Sequence, residues 1–235
     1  MRDIMITNNE DLLTVLDDLF EQNRKQNEFW DQLYSDKTKD IPIFTHKPDE
    51  TLVELINNNK NIISALDIGS GNGRNAIYLA KNDIKTSVLD FSQEALDWVS
   101  QNAKNNEVII DINKADVTKD SLDKKFDLIY DSGCFHHLTP HRRTSYKNFI
   151  LSHLNKDGIF GLVTFYAGGK MGGYEGSDKS CYENYTLYGG LGYTEEKINN
   201  IFYEFEVIDQ RRMMKESDKT FGHEDLLFTI MKRIN

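Results

Sequence analysis

The run Leu66-Asp67-Ile68-Gly69-Ser70-Gly71-Asn72-Gly73 constrains this chain more than any other part of it. It joins a strand-like apolar stretch, Ile62 to Ile68, to a helical one, Asn72 to Lys81. Glycines at such a junction permit positive φ and let the backbone come close to a ligand. A dinucleotide needs GxGxxG, so that its pyrophosphate lies on the helix N-terminus; here the third glycine comes one residue early and the pattern is DxGxGxG. Asp67 also puts a carboxylate near the place a pyrophosphate would occupy, which disfavours an anion and favours a cationic or amino-bearing ligand. A second acid, Asp90, ends the next strand about 20 residues beyond the glycines, where a carboxylate can accept from both ribose hydroxyls. A third, Asp116, follows the third strand, within reach of an adenine amino group.

Strands and helices alternate after residue 60, the pattern of a parallel sheet with crossover helices. Strands are predicted at Ile62 to Ile68, Thr86 to Asp90, Val108 to Ile112, Phe126 to Asp131 and Gly158 to Phe165. Helices are predicted at Asn72 to Lys81, at Gln93 to Lys104 with Ser92 as its start, and at His141 to Leu154, closed by Asn155 to Gly158. Glu195 to Phe202 reads as a further helix, and Phe205 to Asp209 and Leu226 to Met231 as two last strands. Upstream, apolar residues at Leu12, Leu16, Leu19, Phe20, Trp30 and Tyr34 mark an amphipathic helix broken near Asn23 to Asn27. Ile41 to Phe44 is a loop, and Asp49 caps a short helix through Leu52, Leu55 and Ile56. Between Gly168 and Tyr193 lie eight of the 15 glycines and five of the 11 tyrosines, without a clear period. This run, 167–193, reads as a mobile lid. The expected architecture is one α/β domain over 1–235. It is a doubly wound, Rossmann-like, seven-stranded and mostly parallel sheet with helices on both faces over 61–235, with an N-terminal helical cover over 1–60.

The glycine loop together with three acids at three successive strand ends resembles the class I S-adenosylmethionine-dependent methyltransferases, from about Trp30 to the C-terminus. S-adenosylmethionine carries an ammonium and a sulfonium and no phosphate. The resemblance implies that Gly69, Ser70 and Gly71 line its methionine and ribose portion, that Asp90 holds the ribose hydroxyls, that Phe91 covers one face of adenine and that Asp116 and Val117 bound its edge. Trp30 and Tyr34, four apart on one helix face, would fold over the cofactor or pack on the sheet. Asp67, Asn75, Ser92 and Asp131 complete the cofactor-binding set. For Asp116 alone, a strand-end carboxylate that merely caps the next helix is the plain alternative.

In an open α/β sheet the ligand crevice lies at the carboxyl ends of the strands, so Tyr130 to Arg143 should border the acceptor. The segment lacks the Asn-Pro-Pro-Tyr sequence that holds an exocyclic nitrogen in nucleic-acid amino methylases, and the Pro-Cys nucleophile of cytosine C5 chemistry. The spacing from Tyr130-Asp131 through Pro140 to Arg143 and Tyr146 resembles the thiopurine and tellurite-resistance small-molecule methyltransferases, which act on sulfur or other chalcogen nucleophiles. His137 is the catalytic candidate, able to accept a proton near neutral pH. Arg143, or its neighbour Arg142, is the candidate for fixing an anionic group on the acceptor. A thiol acceptor asks less of the protein, since its reference pKa of about 8.5 leaves a useful thiolate fraction. No metal is expected: Pro140 separates His137 from His141, and Cys134 with His136 lacks zinc spacing.

Lys plus Arg total 28 against 38 Asp plus Glu, a net charge of -10, which gives little basic surface for gripping a nucleic-acid backbone. Cys134 and Cys181 form neither a CxxC pair nor a disulfide ladder, and the opening Met1-Arg2-Asp3-Ile4 is no apolar signal core. The expectation is a cytoplasmic, monomeric enzyme with a small-molecule acceptor and no membrane or nucleic-acid partner. A cofactor-binding regulatory protein without turnover, or a methyltransferase for RNA or protein, are the alternatives.

Overall fold

The computed structural model describes residues 4–24 and 26–234, and side chains at 4–21 and 28–234. Met1 to Asp3, with which the sequence opens, and Lys25, inside the expected helix break, lie outside the described residues. Seven strands form one sheet: β1 (Ser64–Ile68), β2 (Lys85–Asp90), β3 (Ile110–Lys114), β4 (Phe126–Ser132), β5 (Leu154–Phe165), β6 (Phe205–Arg212) and β7 (Leu226–Arg233). Their order is β3-β2-β1-β4-β5-β7-β6, with β7 antiparallel to both its neighbours and the rest parallel. The order reverses beside β1, so the crevice of an open sheet opens at the carboxyl ends of β1 and β4.

Strand alternation sorts the core onto two faces. Leu66 and Ile68 of β1, Ile129 of β4 and Phe160 and Leu162 of β5 pack on one side with Tyr146, Phe149 and Ile150 of α6 (Arg143–His153) and Ile198 of α8 (Glu195–Ile201). Ala65, Leu128, Tyr130, Ile159 and Val163 pack on the other with Leu52, Leu55 and Ile56 of α3 (Glu50–Asn58) and Leu79 of α4 (Arg74–Lys81). The remaining helices are α1 (Asn9–Arg24), α2 (Gln26–Ser35), α5 (Gln93–Asn105) and α7 (Asp178–Asn184). Among the described residues no helix is long and apolar enough to cross a membrane.

Three local expectations are corrected. Asp49 stands before α3 but makes no side-chain cap, because its carboxylate is drawn inward to Arg74, Asn75 and Tyr130. The helix expected to close over Asn155 to Gly158 ends at His153, and Leu154 already pairs with Phe126 as the first residue of β5. The run 167–193, read as irregular, contains α7, started by Ser177, whose hydroxyl accepts from the Ser180 amide.

Ser92 does start α5: its side chain accepts from Ala95 N and donates to Asp31 of α2 at 2.6 Å, so one hydroxyl both caps a helix and ties down the N-terminal cover. Ser92→Ala should cost about 1 kcal/mol for the lost cap, lowering the melting temperature by about 2–4 °C in a chain of this size. An unchanged thermal midpoint by circular dichroism would remove the cap from the stability of the fold.

Candidate functional site

A cavity of about 320 Å³ sits at the carboxyl edge of β1, β2 and β4. Register brings the acids to this edge: Asp67 lies beside Val88 and Tyr130, and Asp90, two residues beyond Val88, ends β2. The loop between β1 and α4 turns through three left-handed glycines, Gly69, Gly71 and Gly73. At two of them a side chain is also excluded by contact: a Cβ on Gly69 would stand 2.6 Å from Cβ of Cys134, and one on Gly71 2.8 Å from the Tyr34 hydroxyl. The loop can therefore pack this closely against Cys134 and Tyr34 only with glycine at both positions.

Asp67 is 2% exposed, and among the described residues its Oδ2 has no hydrogen-bond partner; nor, among them, has the buried hydroxyl of Ser70 in the same wall. Burial pushes the Asp67 carboxyl up to about 8, opposed by Arg74 and reinforced by the carboxylates of Asp49 and Asp131. Asp90 is also raised by burial, to about 6, against the backbone donors Ser92 N at 3.0 Å and Gly71 N at 3.3 Å, each of which takes one oxygen. Both oxygens keep a lone pair, because a carboxylate offers about four acceptor sites.

Arg74, which the sequence reading passed over, completes this end. Its guanidinium is held by the fully buried Asp49, donates to Ser132 Oγ at 3.1 Å, lies 4.5 Å over the Phe221 ring and borders the cavity. The available signal was its place as the first residue of the helix after the glycine loop. Asn75 also borders the cavity, but both ends of its amide are engaged by Asp49.

Trp30, Tyr34, Phe91 and Val117 all border the cavity. The Trp30 ring is stacked with Tyr34 at 6.0 Å and set edge-on to His137 at 4.9 Å. Asp116 borders it too, yet its Oδ1 accepts from the amide and hydroxyl of Thr118 at 2.8 and 2.7 Å, and Oδ2 meets Lys119 at 3.4 Å. Its carboxylate thus closes a local turn with Thr118, and among the described residues no helix follows it before β4 to be capped.

Three expected site residues do not border the cavity. Asp131 pairs in register with Ile68, so alternation turns it to the α6 face, where it accepts from Cys134 N, Phe135 N and the Tyr146 hydroxyl. Burial raises it to about 7 despite those donors, and its role is to shape the loop after β4. Arg143 is turned away as well: it holds Asp178 of α7 with two nitrogens and the Tyr193 hydroxyl with a third, anchoring the lid. Ser92 is occupied by its cap and by Asp31. Arg142 does reach the cavity, bound to Asp17 and Glu10 of α1, and Asp17 also takes His141 at 2.9 Å and Lys119 at 3.2 Å. Burial would raise Asp17, but these donors outweigh it and hold the carboxyl far below the usual range. Asp17, with Phe20 and Glu21 beside it on the wall, was likewise missed, since nothing in an amphipathic helix marks which acid faces a cleft.

His137 borders the cavity beside the buried His136, with their Nε2 atoms 3.1 Å apart. One part of the wall is apolar, built by Val163 and Phe165 of β5, Met171 of the lid, Phe221 of the segment before β7 and Leu226 at the start of β7. Cys134 faces the glycine loop, and burial, then Asp131, holds its thiol well above the ordinary range.

Residues 65–158 match a family model described as a methyltransferase domain. Over 84 residues, the chain is 44% identical to the release factor glutamine methyltransferase of Streptococcus pneumoniae (strain ATCC BAA-255 / R6); the match takes in 34% of this chain and 30% of that protein. The chain therefore spans about a third of the length of this curated relative. Among solved structures, one described as a conversion of a disulfide bond into a thioacetal group during echinomycin biosynthesis superposes with a TM-score of 0.70 at 16% identity, covering 88% of this chain and 91% of that one. The N-methyltransferase NodS from Bradyrhizobium japonicum WM9, in complex with S-adenosyl-L-homocysteine, gives 0.63 at 18% identity over 89% and 98%. Residues 65–158 are thus similar to a methyltransferase domain, and the chain shares with these solved structures a Rossmann-like fold, a seven-stranded, mostly parallel sheet flanked by helices.

Proposed function

We propose that this chain transfers the methyl group of S-adenosylmethionine to a small-molecule acceptor, with a thiol or another chalcogen as the attacking atom. One observation carries the reading: a buried, unpartnered carboxylate oxygen on Asp67 shares a cavity wall with the Arg74 guanidinium. An orphaned buried acceptor costs on the order of 1–3 kcal/mol until something donates to it. An anion and a cation side by side complement the ammonium and carboxylate of an amino-acid end, and the cavity's glycine loop and Asp90 suit a ribose. A diphosphate would meet Asp67 and Asp90 as repulsion.

Bound in this cavity, S-adenosylmethionine supplies an electrophilic methyl on a positive sulfur. Asp67 and Arg74 would hold the amino-acid end, Asp90 the ribose hydroxyls, and Phe91 with Val117 the adenine. Trp30, Phe165 and Met171 would exclude water, so that an anionic acceptor and a cationic donor neutralise each other in a dry site. Orientation supplies most of the catalysis in such a displacement. The similar proteins include a glutamine methyltransferase and an N-methyltransferase, and they fix no acceptor for this chain. The apolar wall supports the thiol: a thiolate is already the nucleophile and requires no base at the moment of transfer.

Tritiated S-adenosylmethionine offered with small thiols, amines, bulk RNA and peptides should label the thiols. Cofactor binding without transfer to any of them would make this a binding protein, and label in RNA or peptide would move the acceptor class.

Asp90→Ala should weaken S-adenosylmethionine binding by at least roughly tenfold, as loss of charge-assisted hydrogen bonds implies; unchanged calorimetric affinity would remove Asp90 from the site. A pH dependence follows as well. Asp67 and Asp90 titrate near 8 and 6, above an ordinary carboxyl, and their charged forms are the ones that accept from the ligand. Affinity for S-adenosylhomocysteine should fall as pH drops from about 8 to 6, by at most about tenfold per unit for each proton displaced. Asp67→Asn should flatten the upper part of that slope, and an affinity constant across the range would exclude the linkage.

A further inference from the structure

We infer that His136 is a positioning residue that fixes the tautomer of His137, so that the His137 hydrogen sits on Nδ1, its Nε2 lone pair is taken by His136, and the ring keeps no lone pair with which to act as a base. The inference rests on the methyltransferase reading for its consequence, not for its geometry.

The chain of hydrogen bonds begins at a group that can only donate. The amide of Phe165, at the end of β5, donates to Nδ1 of His136 at 3.1 Å. His136 is 3% exposed, with its ring stacked on Phe165 at 3.8 Å and 19°. Burial, and then the neighbouring His137, keep its pKa well below the ordinary value, so the ring is neutral. A neutral imidazole has one hydrogen, and with Nδ1 accepting it sits on Nε2. That nitrogen lies 3.1 Å from Nε2 of His137, which must therefore accept. The hydrogen of a neutral His137 is then on Nδ1. The carbonyl of His136 accepts from Leu191 N at 2.8 Å, so the same residue is registered against the lid.

The chemical consequence concerns the acceptor. The histidine pair supplies shape to the wall but takes no proton, so a usable acceptor must arrive as a nucleophile in its own right. Thiolates and other polarisable anions satisfy this; aliphatic alcohols and ammonium groups do not.

Long-range nitrogen–proton correlation spectra, with the six histidines assigned by substitution, read the tautomers directly. In the intact protein His136 should carry its proton on Nε2 and His137 on Nδ1; a proton on Nε2 of His137 would overturn the inference. His136→Phe keeps a ring against Phe165 and deletes the donor, and His137 should then show a mixture of tautomers. His136→Gln, which can accept from Phe165 and donate to His137, should restore the Nδ1–H pattern. A His137 that stays locked on Nδ1 in His136→Phe would show that another group sets it, and the inference would fall. S-adenosylhomocysteine affinity within about twofold of wild type in both variants would show the cleft intact. Should the wild-type protein fail to bind that ligand, the methyltransferase reading would fail while the tautomers remained readable; should either variant not fold, the wild-type spectrum decides alone.

Discussion

A carboxylate with no solvent exposure, Asp49, is the point on which the site's geometry turns. Its oxygens take the guanidinium of Arg74, the amide of Asn75 and the hydroxyl of Tyr130, and its own backbone amide donates to Asn75 Oδ1. The start of α3, the start of α4 and the middle of β4 are thereby fixed to one another. A buried ion pair adds little net stability, but removing one partner leaves an uncompensated charge, which costs about 3–5 kcal/mol. The arrangement is therefore better understood as specification than as glue. It sets Arg74 beside Ser132 and under Phe221, and Phe221 is itself bonded through its backbone to Pro48 and Glu50 on either side of Asp49.

From that fixed point the electrostatics of the cavity follow. Three carboxylates are buried at one edge of the sheet, and burial raises all three, yet they do different things. Asp131 receives two amides and a phenol and spends its acceptor capacity on the loop after β4. Asp90 receives two amides and retains lone pairs toward the cavity. Asp67 retains an oxygen with no partner among the described residues. The gradient from satisfied to unsatisfied runs toward the space where a cation would lie, and a cation is what makes such a carboxylate affordable in a dry wall.

How much of this was legible in the sequence follows from which interactions are local. The glycine loop, the alternation of strands and helices and the Ser92 cap depend on residues a few positions apart, and each stands within a few residues of where the pattern put it. The errors came where neighbours in sequence face opposite ways. Asp131 and Tyr130 are adjacent on β4, but only the register with Ile68 and Asp67 tells which of them shares a face with the glycine loop's acid. Arg142 and Arg143 straddle the passage from the 3-10 turn Pro140–Arg142 into α6, so one points to α1 and the cavity and the other to the lid. Arg74, and the inward role of Asp49, were missed because their pairing spans elements, and a charge pair across a fold leaves no period in the chain.

The two covers over the cavity are held by different physics, and this bears on how it can open. On the α1 side, Asp17 gathers His141, Arg142 and Lys119, a charge cluster partly open to solvent and so subject to screening by salt. On the lid side, the Asp225 carboxylate accepts from the backbone amides of Lys170 and Met171 at 2.7 and 3.1 Å, which places Met171 on the cavity wall, while Arg143 grips Asp178. Directed amide bonds fix the shape of the wall on the lid side, whereas an ionic clasp holds the α1 side with less geometric demand. In the function proposed above the lid side would face the acceptor and the α1 side the adenine, so that shape would be defined where acceptors are told apart, and the clasp that can part without repacking a core would lie where a nucleoside enters and leaves.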